Sequence, residues 1–183
     1  MPIIYSLFSR LLDLLHFIYM KKITVPQQAF VLKIQALYDI EEQIVKALPK
    51  MIKAASDPGL KKGFSDHLKE TLGHVDRLKQ IFKELGEKPK ALPCDGIRGI
   101  IKDAAWVMKV PAPSFIKDAM IAGSARYVEH YEMAGYISAI LEANLLGLVE
   151  VAESLGDTLM EEEDADIKLG EAIEMSLQES EEI

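Results

Sequence analysis

Residues 27–55 repeat apolar side chains at steps of three and four: Phe30, Ile34, Leu37, Ile44, Leu48 and Met51, with Glu41 in the same row. A helix turns once per ~3.6 residues, so that row lies on one face and must be covered by something else. Further stretches of the chain carry the same constraint. Residues 58–86 hold Leu60, Phe64, His67, Thr71, His74, Val75, Leu78 and Ile81. Residues 149–176 hold Val151, Leu155, Leu159, Glu162, Asp166, Leu169 and Ile173. Residues 114–146 form the remaining long helix, opened by Ser114 after Pro113. No stretch alternates with the period of two that a half-buried strand requires.

The breaks set the topology. Ser56-Asp57-Pro58-Gly59 reads as a turn in which Asp57 caps the second helix and Pro58 takes its first position. Gly86, with Pro89 beyond, ends the second helix, and Leu146-Gly147-Leu148 is a tight break between the last two. Pro49 predicts a kink near the end of the first helix. Residues 87–113 carry four of the eight prolines around one short amphipathic piece, Asp95–Lys109. Two short loops make two antiparallel hairpins, and the long crossover joins them. The expected fold is all-α: a ferritin-like antiparallel four-helix bundle with a short helix in its crossover.

The bundle is expected over residues 20–176. Ahead of it, residues 1–19 are apolar but interrupted by Arg10, Asp13 and His16, too short and too charged for a membrane span. They read as an upstream extension that need not be native, with Met20-Lys21-Lys22 as the natural start. The alternative is a short interfacial helix. Residues 177–183 read as an acidic, fraying tail. At 183 residues the chain has room for one domain with a real core. Its net charge of −8 repels nucleic acid and anionic membranes, so neither is expected as a partner. The single cysteine, Cys94, excludes an internal disulfide framework and fits a reducing, cytoplasmic setting. A helix N-terminus at Cys94 favours the thiolate, the adjacent Asp95 opposes it, and a reactive thiol is the lesser reading.

Polar residues interrupt the helices at mid-height. The first helix offers Glu41, and the second offers His67, Glu70, Thr71 and His74. The third offers Glu129 and Glu132, within the run EHYE, and the fourth offers Glu162 and Asp166, with Glu163 close by. Glu41 lies about sixteen residues before the first turn, and Glu70–His74 lie about twelve to seventeen beyond it. Glu132 and Glu162 lie about fifteen residues either side of Gly147. At ~1.5 Å rise per residue, these groups share one layer. Unpaired carboxylates in a dry core are costly or take up protons. One or two divalent metals resolve that conflict, and carboxylates with one or two imidazoles suit iron or manganese.

Di-metal bundles use a Glu from each of two helices and a Glu-x-x-His pair from each of the others. Here the second helix has Glu70-x-x-x-His74 and His67-x-x-Glu70 instead, and the fourth has Asp166 in the place of a histidine. The candidate ligands are Glu41, Glu70, His74, Glu129, Glu132, Glu162 and Asp166, with His67, Glu163 and His130 behind them. Taken alone, Glu129 and Glu132 also fit a solvated helix face or a dimer rim. Tyr38, Tyr131 and Tyr136 read as packing residues, one of them able to hydrogen-bond a ligating carboxylate.

The segments LYDIEEQIVKALPKM (37–51), HLKETLGHVDRLKQIF (67–82), PCDGIRGII (93–101), EHYEMAGY (129–136) and TLMEEEDADIKL (158–169) together resemble the YciF/YciE stress-protein family. They do so in order and with matching gaps, over roughly residues 25–176. The resemblance implies a bacterial ferritin-like bundle, often dimeric, similar to rubrerythrin and manganese catalase. It implies a di-iron or di-manganese centre and a link to stress response. Its motifs carry Glu41, Glu70, Glu129, Glu132, Glu162 and Asp166 into candidate ligand roles, while His74 stands where relatives often have Gln. The expected function is that of a stress-response protein with two Fe or Mn ions in the core, acting on peroxide, O2 or Fe(II) in catalase-like or ferroxidase-like fashion. The alternative is a non-enzymatic homodimeric interaction protein in which any metal is structural.

Overall fold

A computed structural model of the chain describes residues 22–178, so the expectations for residues 1–19 and for the last five residues of the tail lie outside the described residues. Five helices follow in order: α1 Pro26–Ala54, α2 Pro58–Glu84, α3 Asp95–Val107, α4 Ser114–Leu145 and α5 Val149–Gln178. No strand occurs among the described residues. The hairpins α1/α2 and α4/α5 pack on each other, and α3 packs against α4 and α1 from the crossover. This is the ferritin-like four-helix bundle with one long connection that the loop lengths predict. The last helix reaches Gln178, so Leu177 and Gln178 are helical rather than frayed. No helix among the described residues is long and apolar enough to cross a membrane.

The helices start and stop where their ends can be satisfied. Pro26 opens α1, where its missing N–H is one the helix would leave unpaired anyway. That helix runs through Pro49 as far as Ala54. Asp57 caps α2, its side chain accepting from the Leu60 N–H at 2.6 Å. Helices α2 and α4 end alike, on Gly86 (φ 70°) and Gly147 (φ 72°). Past each glycine the chain folds back onto its last turn: Glu87 N–H donates to the Phe82 carbonyl at 2.8 Å, and Leu148 N–H to the Ala143 carbonyl at 2.9 Å. A side chain at either glycine would be strained in that left-handed conformation.

The core forms where the rows meet. Phe30, Ile34, Leu37, Phe82, Ile121 and Leu155 are at most 1% exposed, each stabilising by roughly 1.5–3 kcal/mol. Helix α4 differs from the others in burying many small residues, including Ala119, Ala122, Ala125, Ala139 and Ala143. Small side chains let it approach α5 while also meeting α1 and α3. Asp118 of α4 reaches back to the α1/α2 turn, accepting from Ser56 N–H at 2.8 Å and Asp57 N–H at 2.7 Å. That buried carboxylate ties the two hairpins together at one end. The crossover is held at its other approach, where Cys94 N–H donates to Asp39 Oδ2 at 2.8 Å.

Candidate metal centre

Helix periodicity brings one or two acidic or imidazole groups from each long helix into the middle of the bundle. Glu41 lies on the α1 face that also carries Leu37 and Ile44. His67 and His74 lie two turns apart on α2, Glu129 and Glu132 one turn apart on α4, and Glu162 lies on α5. Glu41, His74, Glu132 and Glu162 are fully buried, Glu129 is 2% exposed and His67 is 7% exposed. Two sets form among the described residues: His67, Glu129, Glu132 and Glu162, and Glu41, His74 and Glu162. Within each, one ligand atom per residue lies within 4.8 Å of all the others. Glu162 belongs to both.

The individual approaches are close. His74 Nδ1 lies 2.9 Å from Glu162 Oε1 and 3.5 Å from Glu41 Oε1. His67 Nε2 lies 3.5 Å from Glu129 Oε2 and 3.8 Å from Glu162 Oε2. None of these four contacts has hydrogen-bond geometry; even the 2.9 Å approach lacks the alignment. Nine buried oxygen and nitrogen atoms of Glu41, His67, His74, Glu129, Glu132 and Glu162 consequently have no hydrogen-bond partner among the described residues. Native cores leave few such groups, and the residues that carry them are ones that could hold a metal ion.

The electrostatics agree. Burial pushes Glu129 and Glu132 well above the usual carboxylate range, and repulsion from Glu162 and Glu41 adds to it. Burial also raises Glu41, against the pull of His74. Burial would raise Glu162 as well, but His74 and His67 outweigh it and hold that carboxyl low. Burial opposes charging His74, yet Glu162 and Glu41 prevail and raise it to about 10. Without a metal, burial therefore favours the protonated forms of Glu41, Glu129 and Glu132, while the carboxylates around His74 favour its charged form and Glu162 is held low.

The sequence-derived candidates separate cleanly. Glu41, His74, Glu129, Glu132 and Glu162 converge. His67, ranked behind them by sequence, joins them. Glu70 stays at the edge, its side chain 38% exposed and one oxygen 3.5 Å from His67 Nδ1. Asp166 lies outside both sets, because Arg126 of α4 takes both its oxygens at 2.7 and 2.9 Å. His130 is largely exposed and turns to Asp166 at 3.4 Å, and Glu163 is exposed.

Sequence reasoning missed the supports around the cluster. Glu161 Oε2 lies 2.8 Å from His74 Nε2, and Arg77 donates to the same Glu161 oxygen at 2.8 Å. Arg77 also donates to Thr158. The only trace of this network in the sequence is spacing: Arg77 stands one turn beyond His74, and Thr158, Glu161 and Glu162 share a face. Tyr136, fully buried, donates its hydroxyl to Glu41 Oε1 and is the tyrosine that reaches a cluster carboxylate.

Fold and site together define a ferritin-like helical protein with a buried carboxylate–imidazole layer. More particularly, the chain belongs to the family described as Domain of unknown function (DUF892), which matches residues 25–181. It is 34% identical over 144 residues to Protein YciF of Escherichia coli (strain K12), covering 78% of this chain and 87% of that protein. The crystal structure of the E. coli stress protein YciF aligns with a TM-score of 0.82 at 31% identity, over 85% of this chain and 99% of that one. YcfI from Rhodopseudomonas palustris aligns with a TM-score of 0.79 at 37% identity, over 83% of this chain and 97% of that one.

Proposed function

We propose that this stress-protein relative holds two iron or manganese ions in the bundle core and uses them in redox chemistry on a peroxide, O2 or Fe(II). The observation that carries the reading is the set of nine buried, unpartnered oxygen and nitrogen atoms in one layer. The donor chemistry fits. Four carboxylates carry the charge that two divalent cations cancel, and oxygen with imidazole nitrogen suits iron or manganese. His67, Glu129 and Glu132 would hold one ion, Glu41 and His74 the other, with Glu162 shared. When bound, such ions supply reversible changes of oxidation state that side chains alone lack.

The chain's own residues set up the site. Glu161 only accepts, so His74 carries a proton on Nε2, and its Nδ1 faces Glu41 and Glu162. Burial would raise Glu161, but its pairing with Arg77 keeps it anionic and aimed. Tyr136 donates to Glu41 Oε1 and so orients that carboxylate, whose Oε2 has no partner among the described residues. The reading extends to a homodimer. Ile137, Leu141 and Leu145 recur every four residues on α4 and are 52, 61 and 79% exposed, an apolar row that a second copy would cover. It also extends to a reducing, cytoplasmic setting, which keeps Cys94 a thiol.

The test is turnover by the metal-loaded full-length chain, with hydrogen peroxide or with Fe(II) and O2. Native protein should exceed Glu162→Gln by about 100-fold in one of the two assays. Equal rates with both substrates would leave the metal a structural role and make this an interaction protein.

A further inference from the structure

A cavity of about 710 Å³ opens between α2, α5 and the start of α4, and its lining includes His67 and Glu129 of the candidate centre. A water molecule takes up about 30 Å³ of liquid, and hydrogen peroxide is not much larger. The cavity is thus on the order of twenty times too large for the small oxidants considered above, and it falls in the range of organic-ligand sites. A separate void of about 40 Å³ between α1, α3 and α4 also touches Glu129 and is of the size such oxidants need.

The larger space is built into the sequence of the α2–α5 seam. On one side of the cluster that seam is filled by Leu78, Leu155 and Val151. On the other side, small residues recur where large ones would close it: Gly63 on α2, and Ala165, Ala172 and Ser176 on α5. The walls there carry buried Leu60, Phe64 and Leu169, with buried Asp118 at the turn end, where its oxygens are taken by backbone N–H groups. The rim is charged: exposed Lys62, paired with Asp66, and exposed Lys168 and Glu171. Among the polar lining groups is His67, more than nine-tenths buried and with both ring nitrogens lacking hydrogen-bond partners.

We propose that this cavity binds an elongated organic molecule with an apolar body and an uncharged oxygen head group, its body along the α2–α5 seam and its head at His67 and Glu129. An anionic head would meet Glu70 and Glu129. A hydroxyl or hydroperoxyl head can donate to Glu129 and accept from His67. A medium-chain alkyl body matches the apolar side chains of that seam, Leu60, Phe64 and Leu169. The proposal rests on the metal reading only for what lies beyond the inner end, and it turns the peroxide substrate from hydrogen peroxide toward organic compounds of the same head group.

The probe is 1-decanol, titrated calorimetrically into the full chain, metal-free and after Mn(II) loading. Two variants narrow the seam without touching the cluster: Ala172→Phe, and Gly63→Leu, at whose Cβ position nothing lies within 4 Å. Native protein should bind one decanol per chain in both metal states, more tightly than hexanol. At least one folded variant should bind about tenfold more weakly, the equivalent of roughly two buried methylenes. No saturable binding by the folded native chain, or binding unchanged in both variants, overturns the proposal. Decanol binding without Mn(II) uptake upholds the cavity and sinks the metal reading; Mn(II) uptake without decanol binding does the reverse.

Discussion

Two acids one helical turn apart, Glu162 and Asp166, met different fates. Both lie on one face of α5, and periodicity alone cannot separate them. The partner that does so, Arg126, sits on another helix and pairs with Asp166 through two hydrogen bonds. A partly exposed pair of this kind contributes at most about 1 kcal/mol. Asp166→Asn should therefore leave metal content unchanged by elemental mass spectrometry and shift stability only slightly. His67 went the other way: a histidine in an apolar row reads as an ordinary core residue until the facing carboxylates are placed opposite it. Arg77 is the residue whose importance was least legible, since it acts through Glu161 on His74. Arg77→Met should lower metal affinity about 10- to 100-fold without loss of fold, as expected for a support that orients a ligand. A competition titration against a metal-binding dye would measure it, and unchanged affinity would remove Arg77 from the account.

The elements themselves were legible because each boundary carries a local device: Pro26 and Pro58 at helix starts, the Asp57 cap, and Gly86 and Gly147 in left-handed conformation. Pro49 lies inside α1, which stays helical through it to Ala54. What joins the elements was not legible. Asp118 is a single acid among the small residues of α4, and its partners are two backbone N–H groups about sixty residues earlier. A buried carboxylate making two such bonds is worth roughly 3 kcal/mol or more, because its loss strands both donors. Asp118→Ala should lower the urea midpoint by a corresponding amount with the slope unchanged. It should leave metal content intact, since the turn lies away from the layer. A shift under about 0.5 kcal/mol would mean the hairpins are held by packing alone.

At the scale of the whole molecule, the site opposes the fold. Glu41, Glu129 and Glu132 hold protons more tightly in the folded chain than carboxyls ordinarily do, and His74 does so up to about 10. Groups raised on folding contribute stability at low pH and lose it as pH rises through their folded values. Glu162, held low, works in the opposite direction, but only below the usual carboxylate range. The metal-free protein should therefore lose thermal stability as pH rises from about 5 to 9. Metal bound there would replace those protons, so loading should release them and be favoured by rising pH. Scanning calorimetry of metal-free and Mn(II)-loaded protein at several pH values would check both slopes, and parallel slopes would contradict the account. The same protons explain why the four-helix plan was readable while the resting state of its centre was not: the rows fix which faces meet, and only the packed distances decide which acids stay charged.

The most direct measurement is metal content. The full chain and its Glu129→Ala/Glu162→Ala variant would be offered Fe(II) without oxygen, or Mn(II), then desalted and assayed by elemental mass spectrometry, with circular dichroism to confirm helix content. About two ions per native chain are expected, with loss of both in the variant. A native chain that is fully helical and retains no metal would contradict it, and would leave the buried layer as carboxyls held neutral by their own protons.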